Sequence, residues 1–382
     1  MSLFALLGAT AMVAPPPPQG VRIIVDTNGS ASAAGISDPQ TGRRATPDDP
    51  VRIASVSKLA VALAVLRLVD QGKLDLDRDV SDWLGWPVRN PAFPDRPVTL
   101  RLLLSHQSSL TDHADYAIPL GETVRERLSR PGAWDDQHPP GGFFRYSNLN
   151  FPVIASVMEA ATGQRFDRVM TATLFRPAAI RACFNWSGCG ARDLRRAVVM
   201  RDRTGAVVRD DLQGKPPPCP VVPRADGGCD LTDYRLGDNG ALFSPQGGMR
   251  ISARALAKLG RLVGSPKALQ RLGIDARLLA TPQWRYDGRN GDTEKGVFCA
   301  YGLAVQILNA NQRTDCGDDL FGDGRLRIGH SGEAYGLRSG VWIDPATGQG
   351  RAFFATGLAS DLPRGTSAFT AEEESMARAT LP

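Results

Sequence analysis

A serine and a lysine stand three residues apart in Ser55-Val56-Ser57-Lys58, just before a run that is apolar from Leu59 to Val69 except at Arg67. Three residues is nearly one helical turn, so the hydroxyl and the amine share a face and can hydrogen-bond. A helix apolar all round is a buried one. Burial there disfavours an ammonium, and the positive end of the helix dipole favours both a neutral amine and a serine alkoxide. The pair can therefore serve as base and nucleophile. The four-residue string alone is common, and a capping serine beside a surface lysine would produce it too. Its weight comes from the apolar run and from the scarcity of lysine, since six of the 45 basic residues are lysines and arginine cannot act as a base.

Two further clusters carry compatible chemistry. In Phe144-Arg145-Tyr146-Ser147-Asn148 a tyrosine can relay a proton and a carboxamide can hold a substrate amide. Taken alone, it would be a loop tyrosine followed by a helix cap. Gly329-His330-Ser331-Gly332-Glu333 reads as a segment entering a strand, where a glycine lets substrate lie along a sheet edge and pair with backbone N–H groups. A nucleophile elbow around Ser331 is excluded because Glu333 stands where G-x-S-x-G requires glycine. Four histidines, His106, His113, His138 and His330, leave a Ser-His-Asp triad open as a rival arrangement. His106 reads as structural, in a helix-like Leu-Leu-Leu-Ser-His run.

The elements that must position these residues follow from pattern. Val21–Val25, a turn at Asn28-Gly29 and a second short run predict an N-terminal hairpin. Helices are predicted from Leu59 to Val69, Leu100 to Ser109, Asn150 to Gly163, Ala253 to Val263 and from Ala371 onward. Ala197–Met200 and Ala206–Val208 around Thr204-Gly205 predict a second hairpin within Ala191–Gln213. Strands are predicted around 302–308, 337–343 and 351–356, with a turn at Asp344-Pro345. Strands at both ends with helices between them predict an α+β fold. One antiparallel sheet is built from N- and C-terminal segments with flanking helices, beside an inserted, mostly helical region, and the site lies in the groove between them.

The chain has 382 residues, is 42% hydrophobic and carries a net charge of +5. That length buries a full core. Its basic residues are scattered among 40 acidic ones, with no clustered basic stripe of the kind that binds nucleic acid. Residues 1–14 are apolar and rich in small residues, contain Ala9-Thr10-Ala11 and run into Pro15–Pro18, like a signal peptide without its positive n-region. They are shorter than the roughly 18 residues a membrane span needs, and no other run approaches that length. Residues 1–20 are thus read as a leader and Pro-rich linker, and 21–382 as one domain that carries the three clusters. Six cysteines, with no zinc-type spacing, suit disulfides between sequence neighbours: Cys183/Cys189, Cys219/Cys229 and Cys299/Cys316. An exported, periplasmic or secreted protein is expected. The Cys-containing segment at about 183–229 reads as a stapled insertion that walls the groove.

Taken in order, Ser55-x-x-Lys58, Tyr146-Ser147-Asn148 and His330-Ser331-Gly332 resemble the three signatures of the serine β-lactamase and penicillin-recognising superfamily, in its class C and DD-peptidase branch. The resemblance extends to Arg52-Ile53-Ala54, Gly72-Lys73-Leu74, Leu102–His106 and Gly247-Gly248 before Ser252, and covers nearly all of the chain after Gly20. It implies Ser55 as the acylated nucleophile, Lys58 and Tyr146 as the acid/base pair, and the backbone N–H groups of Ser55 and Glu333 as the oxyanion hole. It also implies Asn148, His330, Ser331, Gly332 and Glu333 as the substrate-binding set. No metal or organic cofactor is implied, and no partner protein or oligomeric state.

One departure bears on substrate. Most β-lactamases of this superfamily begin the third motif with lysine, which helps to bind an anionic carboxylate, whereas His330 is mostly uncharged near neutral pH. Glu333, if it faces the groove, would repel a carboxylate further. The expected function is hydrolysis of an amide or ester, a D-amino-acid peptide or small ester ahead of a β-lactam. The alternative is a sensor-like module that is acylated by penicillin or cell-wall peptide and turns over poorly.

Overall fold

The computed structural model describes residues 20–382 apart from 203, 209–214 and 312. The expected leader therefore lies outside the described residues except for Gly20. The N-terminal strands are β1 (Val21–Asp26), β2 (Ala31–Asp38), β3 (Arg43–Arg44) and β4 (Pro50–Arg52). Mid-chain come β5 (Ala182–Phe184) and β6 (Met249–Ser252). The C-terminal strands are β7 (Trp284–Arg285), β8 (Ala300–Tyr301), β9 (Gln306–Leu308), β10 (Arg327–Ala334), β11 (Leu337–Ile343) and β12 (Gly350–Ala355). Nine of them form one sheet in the order β3-β2-β1-β12-β11-β10-β9-β8-β7, and β4-β6-β5 form a small second one. Every pairing is antiparallel. The two chain ends meet at β1 and β12, where Ile23 stands opposite Phe354, and this is the α+β arrangement expected.

Helices cover both faces of the large sheet, which explains why β1 and β12 each hold an unbroken buried apolar run, Ile23–Val25 and Ala352–Ala355. Ile23, Val25, Val341 and Phe354 join a core with Leu256 and Leu259 of the Ala253–Val263 helix. Ile24, Trp342 and Phe353 pack with Phe369 and Met376 under the Ala371–Arg378 helix. The helix after β4, α1 (Ser57–Asp70), has every residue from Ser57 to Leu66 buried. A three-residue 3₁₀ turn, Ala54–Val56, leads into it and carries Ser55.

Two expected elements differ. The Leu100 helix stops at Leu104, because His106 takes φ +57 and turns the chain toward the site. The hairpin at 197–208 is not a ladder of two strands: Ala191–Arg196 is helical, and Val198 and Val199 donate singly to Pro50 and Ser37. Among the described residues one antiparallel bridge, Arg201 with Val207, links its arms, with Val208 donating to Met200 and Asp202 to Ala206 around it, and 209–213 lie outside the described residues. The cysteines pair as sequence neighbours: Cys183–Cys189, Cys219–Cys229 and Cys299–Cys316. Cys183 belongs to β5, so the stapled excursion begins after that strand.

Gly240 fixes the loop that runs on to Gln246. Its N–H donates to Ser156 Oγ at 2.9 Å, and an added Cβ would lie 2.1 Å from the Pro152 carbonyl oxygen and 2.5 Å from the Ser156 nitrogen. Backbone atoms of the Asn150–Thr162 helix cannot yield as a side chain would. Gly240→Ala is expected to destabilise the fold by about 2 kcal/mol, as overpacking does. Thermal melting would register this as a lowered midpoint, and an unchanged midpoint would refute it.

Candidate active site

Ser55 is fixed from several sides. The Ser57 hydroxyl donates to the Ala54 carbonyl at 2.6 Å and accepts the Met249 N–H at 3.0 Å, tying the 3₁₀ turn to β6. Ser339 Oγ donates to the Ile53 carbonyl at 2.8 Å, tying the same turn to β11. Ala54 takes φ +48, a conformation L-residues seldom adopt, directly before the serine. Gly332 of β10 completes the enclosure. A Cβ there would meet the Ile53 oxygen at 2.5 Å, Ser339 Oγ at 2.5 Å and the Ser55 nitrogen at 3.2 Å, so only glycine allows the strand this close.

The Lys58 amine lies one helical turn on and is fully buried. It donates to Ser55 Oγ at 2.9 Å, Asn148 Oδ1 at 2.8 Å and the Gln246 carbonyl at 3.0 Å. Desolvation brings its pKa from the ordinary lysine value down to about 7, against the opposing pull of Asp112 and Glu294. The amine also sits 4.8 Å from the centre of the Tyr146 ring. The Tyr146 hydroxyl is buried and makes no hydrogen bond of ordinary geometry among the described residues. Burial holds its pKa well above the normal phenol range, with the nearby Ser55 hydroxyl drawing it the other way.

The Tyr-Ser-Asn segment is held by Asp112, which the sequence patterns do not single out. This carboxylate accepts from Ser147 Oγ at 2.8 Å, Asn148 Nδ2 at 2.9 Å, and the Asn148 and Leu149 backbone N–H groups at 3.0 Å each. By taking the Asn148 NH₂, it turns the amide oxygen to Lys58. His106 supports the segment from behind: its Nδ1 accepts from the Ser147 N–H and Asn150 Nδ2, both at 3.0 Å, and its ring stacks on Tyr146 with centroids 4.4 Å apart. Burial and Lys58 hold His106 well below the usual histidine range, so it is neutral.

His330 is buried rather than lining the groove. Its Nε2 meets the Tyr301 hydroxyl at 2.8 Å and its Nδ1 the Ser331 carbonyl oxygen at 2.5 Å. Burial, reinforced by Lys58, lowers its pKa to about 3, so it brings no positive charge to the site. Ser331 Oγ donates to Gln306 Oε1 at 3.2 Å, and Glu333 pairs with Arg338 while keeping most of its side chain in solvent. β9 pairs with β10 only from Arg327 to Gly329, so β10 beyond Gly329 has no β9 partner. His113 and His138 stand apart, and His138 is engaged by Asp135. Glu294 was not anticipated either. Desolvation and Asp292 push it up to about 7, although solvent still reaches its side chain.

Ser55 and Asn148 border a cavity of 530 Å³. Arg52, Gln246, Glu333 and Tyr335 line its near side. The opposite wall consists of Trp186 and the Pro217–Pro223 arm of the insertion, stapled through Cys219. Among the described residues, no group of three or more His, Cys, Asp or Glu side chains is placed to hold a metal ion. Chemically, the arrangement offers a hydroxyl beside an amine that is partly neutral near pH 7, with a phenol and a fixed carboxamide facing the same point.

A serine-bearing 3₁₀ turn, a buried lysine, a Tyr-Ser-Asn loop and a glycine-bearing strand, on an antiparallel sheet closed by both chain ends, define a penicillin-recognising type of fold. Residues 18–372 match the Beta-lactamase family model, and the chain belongs to that family. It is 35% identical over 172 residues to esterase EstB of Burkholderia gladioli, covering 40% of this chain and 42% of that one. It is 31% identical over 163 residues to penicillin-binding protein 4 of Amycolatopsis lactamdurans, covering 42% of each. These matches thus span about two fifths of the length of each relative. Among solved structures, D-amino acid amidase of Ochrobactrum anthropi superposes with a TM-score of 0.63 at 18% identity, covering 94% of this chain and 91% of that one. At that identity the likeness bears on the fold alone.

The lysine sets the pH response. If neutral Lys58 takes the Ser55 proton, kcat/KM rises with pH as the amine deprotonates, through a limb near 7, and levels off above it. Replacing Lys58 with arginine, which stays charged, is expected to lower kcat/KM by about 10²–10⁴-fold and remove that limb. A pH–rate series on an ester substrate checks both, and a limb that persists in Lys58→Arg would exclude Lys58 as its source.

Proposed function

We propose that this protein is a serine hydrolase that transfers the acyl group of an ester or amide to Ser55 and then to water. The reading rests above all on the Lys58 amine 2.9 Å from Ser55 Oγ, buried and brought down to a pKa of about 7. Lys58 accepts the serine proton as the hydroxyl attacks the carbonyl carbon, and Tyr146 passes a proton to the leaving group. The backbone N–H groups of Ser55 and Glu333 receive the oxyanion, and Asn148 orients the substrate amide. Ser331 and Gly332 border the substrate on β10, and His330 acts behind that strand as a neutral support. Water then repeats the attack on the acyl-enzyme, with the same groups reversing their roles.

For the substrate, the neutral His330 and the Glu333 carboxylate disfavour an anionic group beside β10. The wall of Trp186, prolines and Val221 favours an apolar substituent. An ester or amide with an apolar acyl part fits this better than a β-lactam. That preference agrees with the names of relatives, an esterase among them. Three disulfides and the leader-like N-terminus support action outside the cytoplasm. Among the described residues no helix is long and apolar enough to cross a membrane.

Spectrophotometric assays with p-nitrophenyl butyrate, D-phenylalanine amide and benzylpenicillin test the reading. Steady turnover of the butyrate ester is expected, with slower loss of penicillin, and Ser55→Ala is expected to abolish both. Opening the staple with Cys219→Ser is expected to raise KM for the butyrate more than for p-nitrophenyl acetate, because the wall contacts the longer chain. A stoichiometric burst without turnover on every substrate would point instead to a sensor-like module.

A further inference from the structure

A second cavity, of 380 Å³, lies beyond the small β4-β6-β5 sheet, walled by the start of the Ala253–Val263 helix, the Ala191–Arg196 helix and the loop before β5. Seven arginine and lysine side chains line it against two carboxylates, Asp48 and Asp193. Both carboxylates are already engaged: Asp48 by Arg254 at 3.1 Å and Asp193 by Arg181 at 2.8 Å. Arg196 is held from behind by Asp49 at 3.1 Å. Lys258 spends one of its three donors on the Ala179 carbonyl at 2.6 Å. Arg192 and Arg261, both exposed, make no ion pair or hydrogen bond among the described residues.

Like charges crowded into one concavity repel, and the walls lower the dielectric that would otherwise screen them. Scattered surface arginines would avoid this by spreading apart. Here the paired arginines rim the cavity, while two guanidinium groups and an ammonium with spare donors line the same space. Guanidinium forks match phosphate oxygens two at a time, and a lysine adds a point charge. A monocarboxylate would leave most of these donors unused.

We propose that this cavity, which shares with the Ser55 groove the buried Arg250 between them, is a binding site for a phosphate-bearing anion of two or more negative charges. Arg192, Arg261 and Lys258 supply the donors to the phosphate oxygens, and Arg181, Arg196 and Arg254 hold the field around them. A free diphosphate and a phosphomonoester lipid headgroup share this chemistry.

Titration calorimetry of the full chain with inorganic pyrophosphate, and sedimentation with phosphatidic acid vesicles, separate those two sources. Saturable one-to-one binding of pyrophosphate that weakens with salt, and a raised melting midpoint of the unaltered protein, are expected for a free anion. The Arg192→Gln/Arg261→Gln protein is expected to bind about tenfold or more weakly, as losing charged hydrogen bonds implies. Ester hydrolysis is expected to be unchanged in it, since neither residue borders the Ser55 cavity. Vesicle binding without pyrophosphate binding, abolished in the same variant, would assign the site to a lipid headgroup. Binding of neither probe, or binding that the double variant retains in full, would overturn the proposal.

Discussion

The structure depends on one amine being kept out of water. Lys58 occupies the first turn of a helix that is buried on every side, and the cost of stripping water from an ammonium is what brings its pKa to about 7. The surrounding groups moderate that cost without cancelling it. Three oxygens accept from the amine, and Asp112 and Glu294 pull its pKa back upward. An adjacent carboxylate in direct contact would hold the lysine charged and useless as a base. Asp112 is instead one link removed, spending its lone pairs on Ser147, Asn148 and Leu149 and acting on Lys58 through the Asn148 amide.

The fold serves this arrangement by bringing distant segments onto a single 3₁₀ turn. β4 delivers it, β6 and β11 clamp it through Ser57 and Ser339, and β10 lies against it because Gly332 has no side chain. Joining the chain ends at β1 and β12 makes the large sheet continuous behind the site, so the β10 and β11 contacts share one support, while β6 holds the turn from the small second sheet. The histidines belong to that support: His106 stacks under Tyr146 and His330 locks to Tyr301, both neutral and buried. In this frame a Ser-His-Asp arrangement has no place, since neither ring hydrogen-bonds to Ser55.

What the sequence made legible was what side-chain type and period encode. The i, i+3 spacing of Ser55 and Lys58 before an all-apolar helix, and the closing strands, could be read directly, and the structure brings Tyr146 and Asn148 to the same point. Contributions from isolated residues or from the backbone could not. Asp112 is one aspartate in a polar loop, and the Gln246 carbonyl belongs to the main chain, which every residue possesses. The burial of His330 was invisible because a strand histidine reads alike whether it meets a groove or Tyr301. The Ala197–Met200 run is apolar and extended as a strand should be, but Val198 and Val199 donate to Pro50 and Ser37, and among the described residues Met200 alone of the run accepts from the other arm, at Val208.

The most direct test of the central claim is to locate and time the reaction of a fluorophosphonate probe, using intact mass for the rate and peptide mapping for the position. The account predicts a single adduct on the peptide containing Ser55, formed at least about 10²-fold more slowly when Lys58 is replaced by methionine. An adduct on another serine, or labelling of Ser55 at an unchanged rate without Lys58, would contradict it.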